Sequence, residues 1–270
     1  KKGLIMGVAN DHSLAWGIAN KLHDNGADLA FTYQGETFKK RVEPLASSIN
    51  CEHLIDCDVL NENELQASCD YIEKKWGKLD FIVHSIAHSD KSELNGRYID
   101  TSRENFLKTL EISCFSLTNI AKTFEPLINE NGSILTLTYG GSERVIPNYN
   151  VMGVAKAALE SSVRYLAVDL GIRGIRVNAL SAGMMRTLAG SAVKNARTMF
   201  KFSEEHKPMK NIPLNLEDIG SSGLYLISDL SKGVTGETHY VDQGYNFIGM
   251  PKTDKSVSYT HLRAHETHEH

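Results

Sequence analysis

The chain has 270 residues, of which 41% are hydrophobic and 23% charged, and its formal net charge is -4. Its length suits one large α/β domain, and its composition is that of a globular protein with no run long enough to span a bilayer. The slight acidity argues against a nucleic-acid binder, because such proteins usually carry a basic excess. We expect a cytoplasmic protein of bacterial type, with a targeting peptide removed before Lys1 as the alternative.

Short apolar segments alternate with longer amphipathic ones, a pattern typical of βαβ units and a parallel sheet. The predicted strands are 4–8, 29–33, 53–58, 79–85, 133–138, 175–180 and 238–241. The predicted helices are 14–25, 36–49, 61–76, a long one from 101 to about 128, 149–170 and 217–230. For the long helix, Thr101 and Glu104 predict an N-terminal capping box.

These elements predict an α/β fold, a single doubly wound Rossmann-like domain over residues 1–255, with a seven-stranded parallel sheet and helices on both faces. Residues 184–214 fit the alternation poorly and follow the carboxyl end of a strand, the edge where ligands bind in such sheets. We predict that they form a helical insertion that covers the substrate. Residues 256–270, rich in histidine, are predicted to be a non-native C-terminal extension.

The cysteines and histidines do not predict a metal site. No CxxC pair occurs among the four cysteines, which indicates free thiols in a reducing compartment. His84 and His88 are four residues apart, but they lie where a predicted strand runs into a loop, so this spacing is not that of a helical metal site. We expect no metal.

The polar turn after the first strand leads into a helix N-terminus, whose unpaired amides and positive dipole end suit a pyrophosphate. The turn lacks the GxGxxG fingerprint, so an ordinary loop is an equally good interpretation. Gln34 stands where a ribose-binding Asp or Glu is usual, and basic residues 39–41 lie on a solvated helix. NADH is therefore favoured over NADPH. After the third strand, Asp58 could accept from an adenine amino group while Val59 packs on the ring.

Tyr149 and Lys156 are seven residues apart, two turns of a helix, so both side chains project from nearly the same face. A phenol near an ammonium can donate a proton or a hydrogen bond to a developing oxyanion. Such a pair on its own is more often structural. The rest of the sequence decides between the two interpretations.

Several motifs stand in the order of one known family. They are Gly7-Val8-Ala9 with Ser13 and Gly17, Phe31-Thr32-Tyr33-Gln34, Cys57-Asp58-Val59, His84-Ser85-Ile86, residues 146–153 with Lys156, and residues 176–183. Over roughly residues 2–251 the chain thus resembles the enoyl-acyl-carrier-protein reductases of type II fatty acid synthesis, the FabI group of the short-chain dehydrogenase/reductase superfamily. Ketoreductases of that superfamily place the catalytic Tyr four residues before the Lys, where this chain has Met152. The displaced phenol favours C=C reduction, because it meets an oxygen further from the nicotinamide.

The resemblance implies reduction of the C2=C3 bond of trans-2-enoyl-acyl-carrier-protein thioesters by hydride transfer from NADH. It implies Tyr149, Lys156 and Tyr139 as catalytic residues, with Ser89, Tyr139 and Tyr149 contacting substrate. For Tyr139 a purely packing role is an equally good interpretation. The implied cofactor residues are Gly7, Ser13, Leu14, Gln34, Asp58, Val59, Ile86, Lys156, Met185, Arg186, Thr187, Leu188 and Ala189. Acyl carrier protein is the implied partner and a homotetramer the implied assembly. The candidate docking residues are Arg186, Lys194, Arg197, Lys201 and Lys207, and an ordinary solvated helical face is the alternative interpretation.

The sequence departs from the usual family pattern at Gly140, Met184 and Gln243, where Leu, Pro and Gly are frequent. The first two lie beside the expected nicotinamide and acyl pocket, so they bear on chain-length range and inhibitor fit rather than on the reaction. Two other interpretations stay open from the residues. One is a ketoreductase or alcohol dehydrogenase on the same fold, and the other is a non-catalytic dinucleotide-binding protein.

Overall fold

Seven parallel strands form one sheet in the computed structural model, which describes residues 1–185, 187 and 196–250. The strands are β1 (Lys2–Met6), β2 (Asp28–Tyr33), β3 (His53–Asp56), β4 (Leu79–His84), β5 (Ile128–Thr138), β6 (Arg176–Ala182) and β7 (Thr238–Val241). Their order across the sheet is β3-β2-β1-β4-β5-β6-β7, so the winding reverses between β1 and β4. This doubly wound sheet confirms the predicted fold class.

Helices cover both faces of the sheet. They are α1 (Leu14–Asp24), α2 (Gly35–Ser48), α3 (Glu62–Trp76), α4 (Arg103–Leu110), α5 (Ser116–Phe124), α6 (Asn150–Gly171), α7 (Ala196–His206) and α8 (Leu216–Ile227). One hydrophobic cluster joins α3, α5 and α6 to the sheet, and a second joins α1, α2 and α8 to the opposite face. The central strands are therefore apolar on both sides, as in other covered parallel sheets.

The carboxyl ends of parallel strands meet at one edge of a sheet. In this fold that edge receives the turn after β1, the loops after β2 and β4, and the segment between β5 and α6. Most of the predicted site residues follow these strands directly. The topology thus brings them to one edge although they are far apart in the sequence.

The region predicted as one helix from 101 to about 128 is interrupted. Its N-cap is Ser102, whose hydroxyl accepts from Asn105 N at 3.1 Å, whereas the Thr101 hydroxyl donates to Tyr98 O at 2.7 Å. The predicted Thr101–Glu104 capping box was therefore wrong by one residue. A π-helical turn, Glu111–Phe115, separates α4 from α5, and β5 begins at Ile128 rather than at 133.

The π-helical turn coincides with a contact to the loop after β4. The Ser113 hydroxyl accepts from His88 N at 2.9 Å and donates to His88 O at 3.0 Å. Such turns are often found at functional sites, and no periodicity of apolar residues distinguishes them from regular helix. This contact holds the loop after β4 against the helical layer.

The segment 184–214 contains a helix, as predicted. The helix is α7, and Arg186 and residues 188–195, which precede it, lie outside the described residues. No helix in the described ranges is long and apolar enough to cross a membrane.

Glycines bring α1 and α8 into backbone contact. A Cβ on Gly17 would lie 2.7 Å from Leu216 O, and a Cβ on Gly220 would lie 2.5 Å from Gly17 O. Only glycine fits at both positions without a shift of one helix. The helix that follows the β1 turn is thus held directly by the last helix of the fold.

Candidate active site

The turn between β1 and α1 is tightly built. Gly7 has φ +96°, and a Cβ there would lie 1.9 Å from Ser85 O, so the β1 and β4 ends approach more closely than any side chain allows. The Ser13 hydroxyl accepts from Ala9 N at 2.9 Å and from Asn10 N at 3.1 Å. Among the described residues, the Leu14 amide at the start of α1 has no hydrogen-bond acceptor. The turn therefore presents a helix N-terminus to an anionic group.

Gln34 and Asp58 meet at the ends of β2 and β3. Gln34 Nε2 donates to Asp58 Oδ2 at 2.8 Å, and Asp58 Oδ1 accepts from Leu60 N at 2.9 Å. Val59 is partly buried against the core. The structure therefore brings together the three residues predicted to hold an adenosine.

The basic residues that follow Gln34 do not converge on a phosphate site. Lys39 Nζ lies 3.6 Å from Glu36 Oε1, within its own helix. The Arg41 guanidinium lies over the Phe38 ring, 5.9 Å from its centroid. This arrangement agrees with the preference for a cofactor without a 2′-phosphate.

Tyr149 is the N-cap residue of α6, and the backbone on both sides of it is unusual. Asn148 has φ +60° and Asn150 φ +39°, in the left-handed region that asparagine tolerates better than most residues. The Asn150 side chain donates to Glu93 O at 3.4 Å and to Gly96 O at 3.3 Å. Strained backbone of this kind is concentrated at functional sites, and here it sets the position of the phenol.

Lys156 is only 6% exposed, and its Nζ donates to Leu137 O at 2.8 Å. Burial lowers the pKa of this lysine to about 8, against an opposing effect of the Glu160 charge. An ammonium that is nearly out of water exerts a stronger field on neighbouring groups than a surface lysine. The two-turn spacing from Tyr149 is thus combined with an unusual electrostatic environment.

Tyr139 and Tyr149 contact each other edge to face, with ring centroids 5.3 Å apart and an interplanar angle of 75°. Burial raises the pKa of Tyr139 to about 12, and it also raises the pKa of Tyr149. Both phenols are therefore protonated at neutral pH. They can donate hydrogen bonds to an oxygen between or beside them.

A cavity opens beside Tyr139. Its lining includes Gly140, Met184, Asp242 and Tyr245. A Cβ on Gly140 would have no atom within 4 Å, so the cavity has room for a side chain at this position. Two of the three departures from the family pattern, Gly140 and Met184, therefore line one cavity.

The third departure, Gln243, has a physical explanation. Its φ is +58°, a conformation that glycine adopts freely and other residues adopt at a cost. The side chain compensates by donating from Nε2 to Ile212 O at 2.7 Å, which ties the residue to the loop before α8.

The structure corrects two of the predicted site residues. Ser89 is 8% exposed, and its hydroxyl accepts from Thr109 Oγ1 at 2.9 Å and contacts Asn105 Oδ1 at 3.3 Å, so it faces α4 rather than an open cleft. Lys207 is 2% exposed, and its Nζ lies 2.7 Å from Glu204 Oε1 and donates to Ile212 O. It therefore belongs to the core of this region and not to a basic docking patch.

Other predicted residues lie near the cofactor turn. Ile86 packs against the core after β4, and Met185 lines a cleft together with His12 of the β1 turn. Thr187 N donates to Met185 O at 2.9 Å. The remaining predicted cofactor residues, Arg186, Leu188 and Ala189, lie outside the described residues, as does Lys194 of the basic patch.

The sequence analysis named His84 only within a motif and as an unlikely metal ligand, and it missed the buried polar contacts of this residue. His84 Nδ1 lies 2.8 Å from Thr136 Oγ1 and Nε2 lies 2.9 Å from Ser116 Oγ. Burial and the Lys156 charge lower the pKa of His84 to about 3, so the imidazole is neutral. A histidine inside an otherwise apolar central strand was the available signal, but it does not reveal which side chains it meets.

Comparisons with known proteins identify the family of this chain. A family model described as Enoyl-(Acyl carrier protein) reductase matches residues 7–246. The enoyl-acyl-carrier-protein reductase (NADH) 2 of Rhizobium meliloti is 61% identical over 251 residues, 93% of each chain. A relative from Bacillus cereus, enoyl-acyl-carrier-protein reductase (NADH) FabI, is 46% identical over 92% of this chain and 98% of its own.

Solved structures show the same similarity. FabI from Candidatus Liberibacter asiaticus has a TM-score of 0.90 and 54% identity, over 93% of this chain and 97% of that one. The enoyl-acyl-carrier-protein reductase of Anaplasma phagocytophilum, solved in complex with NAD, has a TM-score of 0.89 and 51% identity, over 94% and 95% of the two chains. By its matched length, its identity to these relatives and its fold, this chain belongs to the enoyl-acyl-carrier-protein reductase family.

Proposed function

We propose that this chain reduces the C2=C3 double bond of trans-2-enoyl-acyl-carrier-protein thioesters with hydride from NADH, in type II fatty acid synthesis. The observation that carries the proposal is that Tyr149, at the N-cap of α6, lies two helical turns before the buried Lys156, while a methionine occupies the tyrosine position of a ketoreductase. That methionine, Met152, is 7% exposed and packs in a cluster with Val151 and Ala155. It offers no proton, so Tyr149 is the donor on this helix.

The residues at the strand ends suit NADH. The β1 turn presents helix amides to a pyrophosphate, and Gln34 and Asp58 offer polar groups to an adenosine. The nearby cations Lys39 and Arg41 contact side chains of their own helix and do not converge on one point, which supports NADH over NADPH. We assign the cofactor contacts among described residues to Gly7, Ser13, Leu14, Gln34, Asp58, Val59, Ile86, Lys156, Met185 and Thr187.

When bound, NADH supplies the hydride that goes to the β carbon of the enoyl thioester. Tyr149 donates a hydrogen bond or a proton to the thioester oxygen, where negative charge develops. Because burial raises the pKa of Tyr149, the phenol is protonated before the reaction and can act as a donor to this oxygen. Lys156 binds the ribose hydroxyls and places a positive charge beside the same centre. The α carbon then takes a proton from water, and the oxygen returns to Tyr149 any proton that it accepted, which gives the saturated thioester.

Tyr139 is proposed as the second phenol of the acyl site. It lines the cavity that also contains Gly140 and Met184, and its ring supports the ring of Tyr149. The insertion that includes α7 is proposed to cover this site. Acyl chain length should therefore depend on the Gly140 and Met184 positions, which shape the cavity wall.

Oxidation of NADH with two small thioesters tests the reaction. Crotonyl-CoA carries a C2=C3 double bond and acetoacetyl-CoA a β-keto group, so an enoyl reductase consumes NADH with the first and not the second. Consumption with acetoacetyl-CoA alone would identify a ketoreductase. Binding of NADH without turnover of either thioester would identify a non-catalytic dinucleotide-binding protein. Repeating the assay with NADPH checks the cofactor assignment.

Acyl carrier protein is the proposed partner, and the basic residues near α7 are its proposed docking surface. Among the described members of that patch, Arg197 and Lys201 are exposed. Lys201 Nζ lies 3.9 Å from Glu205 Oε1, a weak surface pair that leaves its charge available to an acidic protein. Changing both residues to Glu should raise the KM for an acyl-carrier-protein substrate and leave the KM for crotonyl-CoA unchanged. Equal effects on both substrates would contradict this surface.

A homotetramer is the proposed assembly. The side of α6 away from the sheet exposes large apolar residues at helical spacing, with Tyr165 75%, Val168 79% and Ile172 92% exposed. Phe115, in the π-helical turn of the same layer, is also exposed. Exposed apolar patches of this kind mark protein contacts. Light scattering should give four times the chain mass, and a Val168→Glu and Ile172→Glu double variant should give a smaller species.

We also propose that residues 1–255 form one folding unit and that the protein acts in the cytoplasm. The uninterrupted sheet and its two hydrophobic clusters support the first proposal within the described ranges. A truncation after 255 should keep the melting temperature and the crotonyl-CoA activity. Loss of either would show that the C-terminal residues belong to the fold.

A further inference from the structure

Glu160 is a buried carboxylate that the mechanism above does not use. It lies one helical turn after Lys156 in α6, and it is 7% exposed. Glutamates are rarely this buried unless they are paired, because taking the charge out of water is costly. Its neighbours therefore indicate what the residue does.

Glu160 contacts the end of β5. Thr138 Oγ1 donates to Glu160 Oε1 at 2.5 Å, and Thr138 is the last residue of the strand. Its predecessor, Leu137, accepts from Lys156 through its carbonyl oxygen, and its successor is Tyr139. Two successive turns of α6 thus hold consecutive residues at the strand end, immediately before the phenol that meets Tyr149.

Charged and titratable groups surround the two α6 side chains. Lys156 is faced by Glu160 from its own helix, by the Cys114 thiol from the π-helical turn and by neutral His84 from β4. Burial lowers the pKa of Lys156, and the Glu160 charge acts against that decrease. Among these groups, Glu160 alone carries a formal negative charge that opposes the lowering of the Lys156 pKa by burial.

Two phenols also face Glu160. They are Tyr149 and, from β7, Tyr240. Burial is the largest cause of the raised pKa of each, followed by Tyr139 for Tyr149 and by Glu143 for Tyr240, and the Glu160 charge adds a smaller increase. Both stay protonated at neutral pH. They therefore add no second negative charge beside Lys156.

We propose that Glu160 is a positioning residue for the enoyl reduction proposed above. Bonded to Thr138, it fixes the end of β5 against α6, and it supplies the buried negative charge that Lys156 faces. The two effects come from different features of one side chain. The hydrogen bond sets the position of Tyr139, and the charge keeps the lysine cationic when no ligand is present.

Two variants separate these effects. Glu160→Gln keeps an oxygen that accepts from Thr138 but removes the charge, whereas Thr138→Val keeps the charge and removes the donor. Asp169→Asn is the matched control, because it removes a carboxylate from an exposed position of the same helix. NADH affinity and kcat/KM for crotonyl-CoA are measured from pH 6 to about 10 for all three, with melting temperatures as a check of folding.

For Glu160→Gln we expect the alkaline midpoint of NADH binding to move down by about one pH unit, as the loss of a nearby opposite charge lowers a lysine pKa. For Thr138→Val we expect kcat to fall about tenfold with the midpoint unchanged. Asp169→Asn should match the wild type. The pH dependence of NADH affinity reports the charge of Lys156 even if crotonyl-CoA is not a substrate. Failure of the proposed reaction is therefore distinguishable from failure of the proposed role of Glu160.

The proposal is overturned if Glu160→Gln folds and keeps the wild-type midpoint, or if Asp169→Asn moves it equally. If Glu160→Gln does not fold, Thr138→Val still decides the positioning part. A Thr138→Val protein with wild-type kcat would then contradict it.

Discussion

The rings of Tyr139 and Tyr149 meet edge to face, with 5.3 Å between their centroids, although one phenol follows a strand and the other begins a helix. The contact is possible because Gly141 lies between them in the chain and carries no side chain against the Tyr149 ring. Tyr149 is thus supported by an aromatic neighbour on one side and by the strained asparagines that flank it. These contacts hold the phenol in position before substrate arrives.

Replacement of the proposed donor should slow the chemical step. For Tyr149→Phe we expect kcat with crotonyl-CoA to fall by ~10² to 10³, the usual effect of losing one electrophilic donor. NADH affinity should be nearly unchanged, because the cofactor contacts lie elsewhere. Tyr139→Phe keeps the ring contact and is the matched control, with a smaller loss expected. Near-normal turnover of Tyr149→Phe would count against the assignment.

A small change at Gly141 should disturb the same phenol. A Cβ there would lie 2.4 Å from Tyr149 Cδ1, so Gly141→Ala must displace the ring. We expect a loss of turnover of about tenfold or more with the fold intact. Gly140→Ala is the control, because a Cβ at that position has no atom within 4 Å. Equal kinetics for the two variants would show that the ring tolerates displacement.

Cofactor binding should weaken in alkali. Lys156 has a pKa of about 8 and is charged below it, so its positive charge is present at neutral pH and is lost as the pH rises through that value. We therefore expect kcat/KM for NADH, which reports the free enzyme, to fall above about pH 8. Lys156→Arg stays charged and should lose this alkaline limb, at a lower absolute rate. A limb that persists in Lys156→Arg would have another origin.

The buried guanidinium of Arg176 should contribute to stability. Its nitrogens donate to Leu226 O at 2.7 Å, to Ser228 O at 3.1 Å and to Ser231 Oγ at 2.8 Å, around the C-terminal end of α8. Arg176→Met removes these three hydrogen bonds from a charged donor, although Leu226 O still accepts from Ser133 Oγ and Ser228 O from Ser231 Oγ. We expect the free energy of unfolding to fall by about 3 kcal/mol. Arg164→Met, at an exposed site of α6, should change it little. Denaturant unfolding at constant pH measures both.

Much of the fold could be predicted because each strand carries a dense apolar run and each helix an apolar stripe. The limits of β7 were predicted without error, and α1 differs by one residue at its end. The predicted helix boundary was wrong where two neighbouring residues are both suited to be the N-cap. Thr101 and Ser102 both suit an N-cap, and only the hydrogen bond from Thr101 to Tyr98 O decides between them.

For the candidate site, the sequence predicted residues that share one helix but not the contacts between separate elements. Tyr149 and Lys156 could be identified as a candidate pair because their separation of two helical turns is visible in the sequence. His84, Thr138 and Glu160 depend on which strand lies beside which helix, and that information is absent from any single segment. A glutamate four residues after a buried lysine, on the inward side of α6, was the signal that could have indicated Glu160.

The glycine contact between α1 and α8 couples the end of the fold to its beginning. The atom nearest to a Cβ on Gly220 is the backbone oxygen of Gly17, which cannot move independently of its helix. A substitution of Gly220 by a larger residue must therefore displace α1 as a whole. The amides at the start of α1 would move with it. A residue more than two hundred positions from the first turn thus helps to set where the amides at the start of α1 lie, although it is not part of that turn.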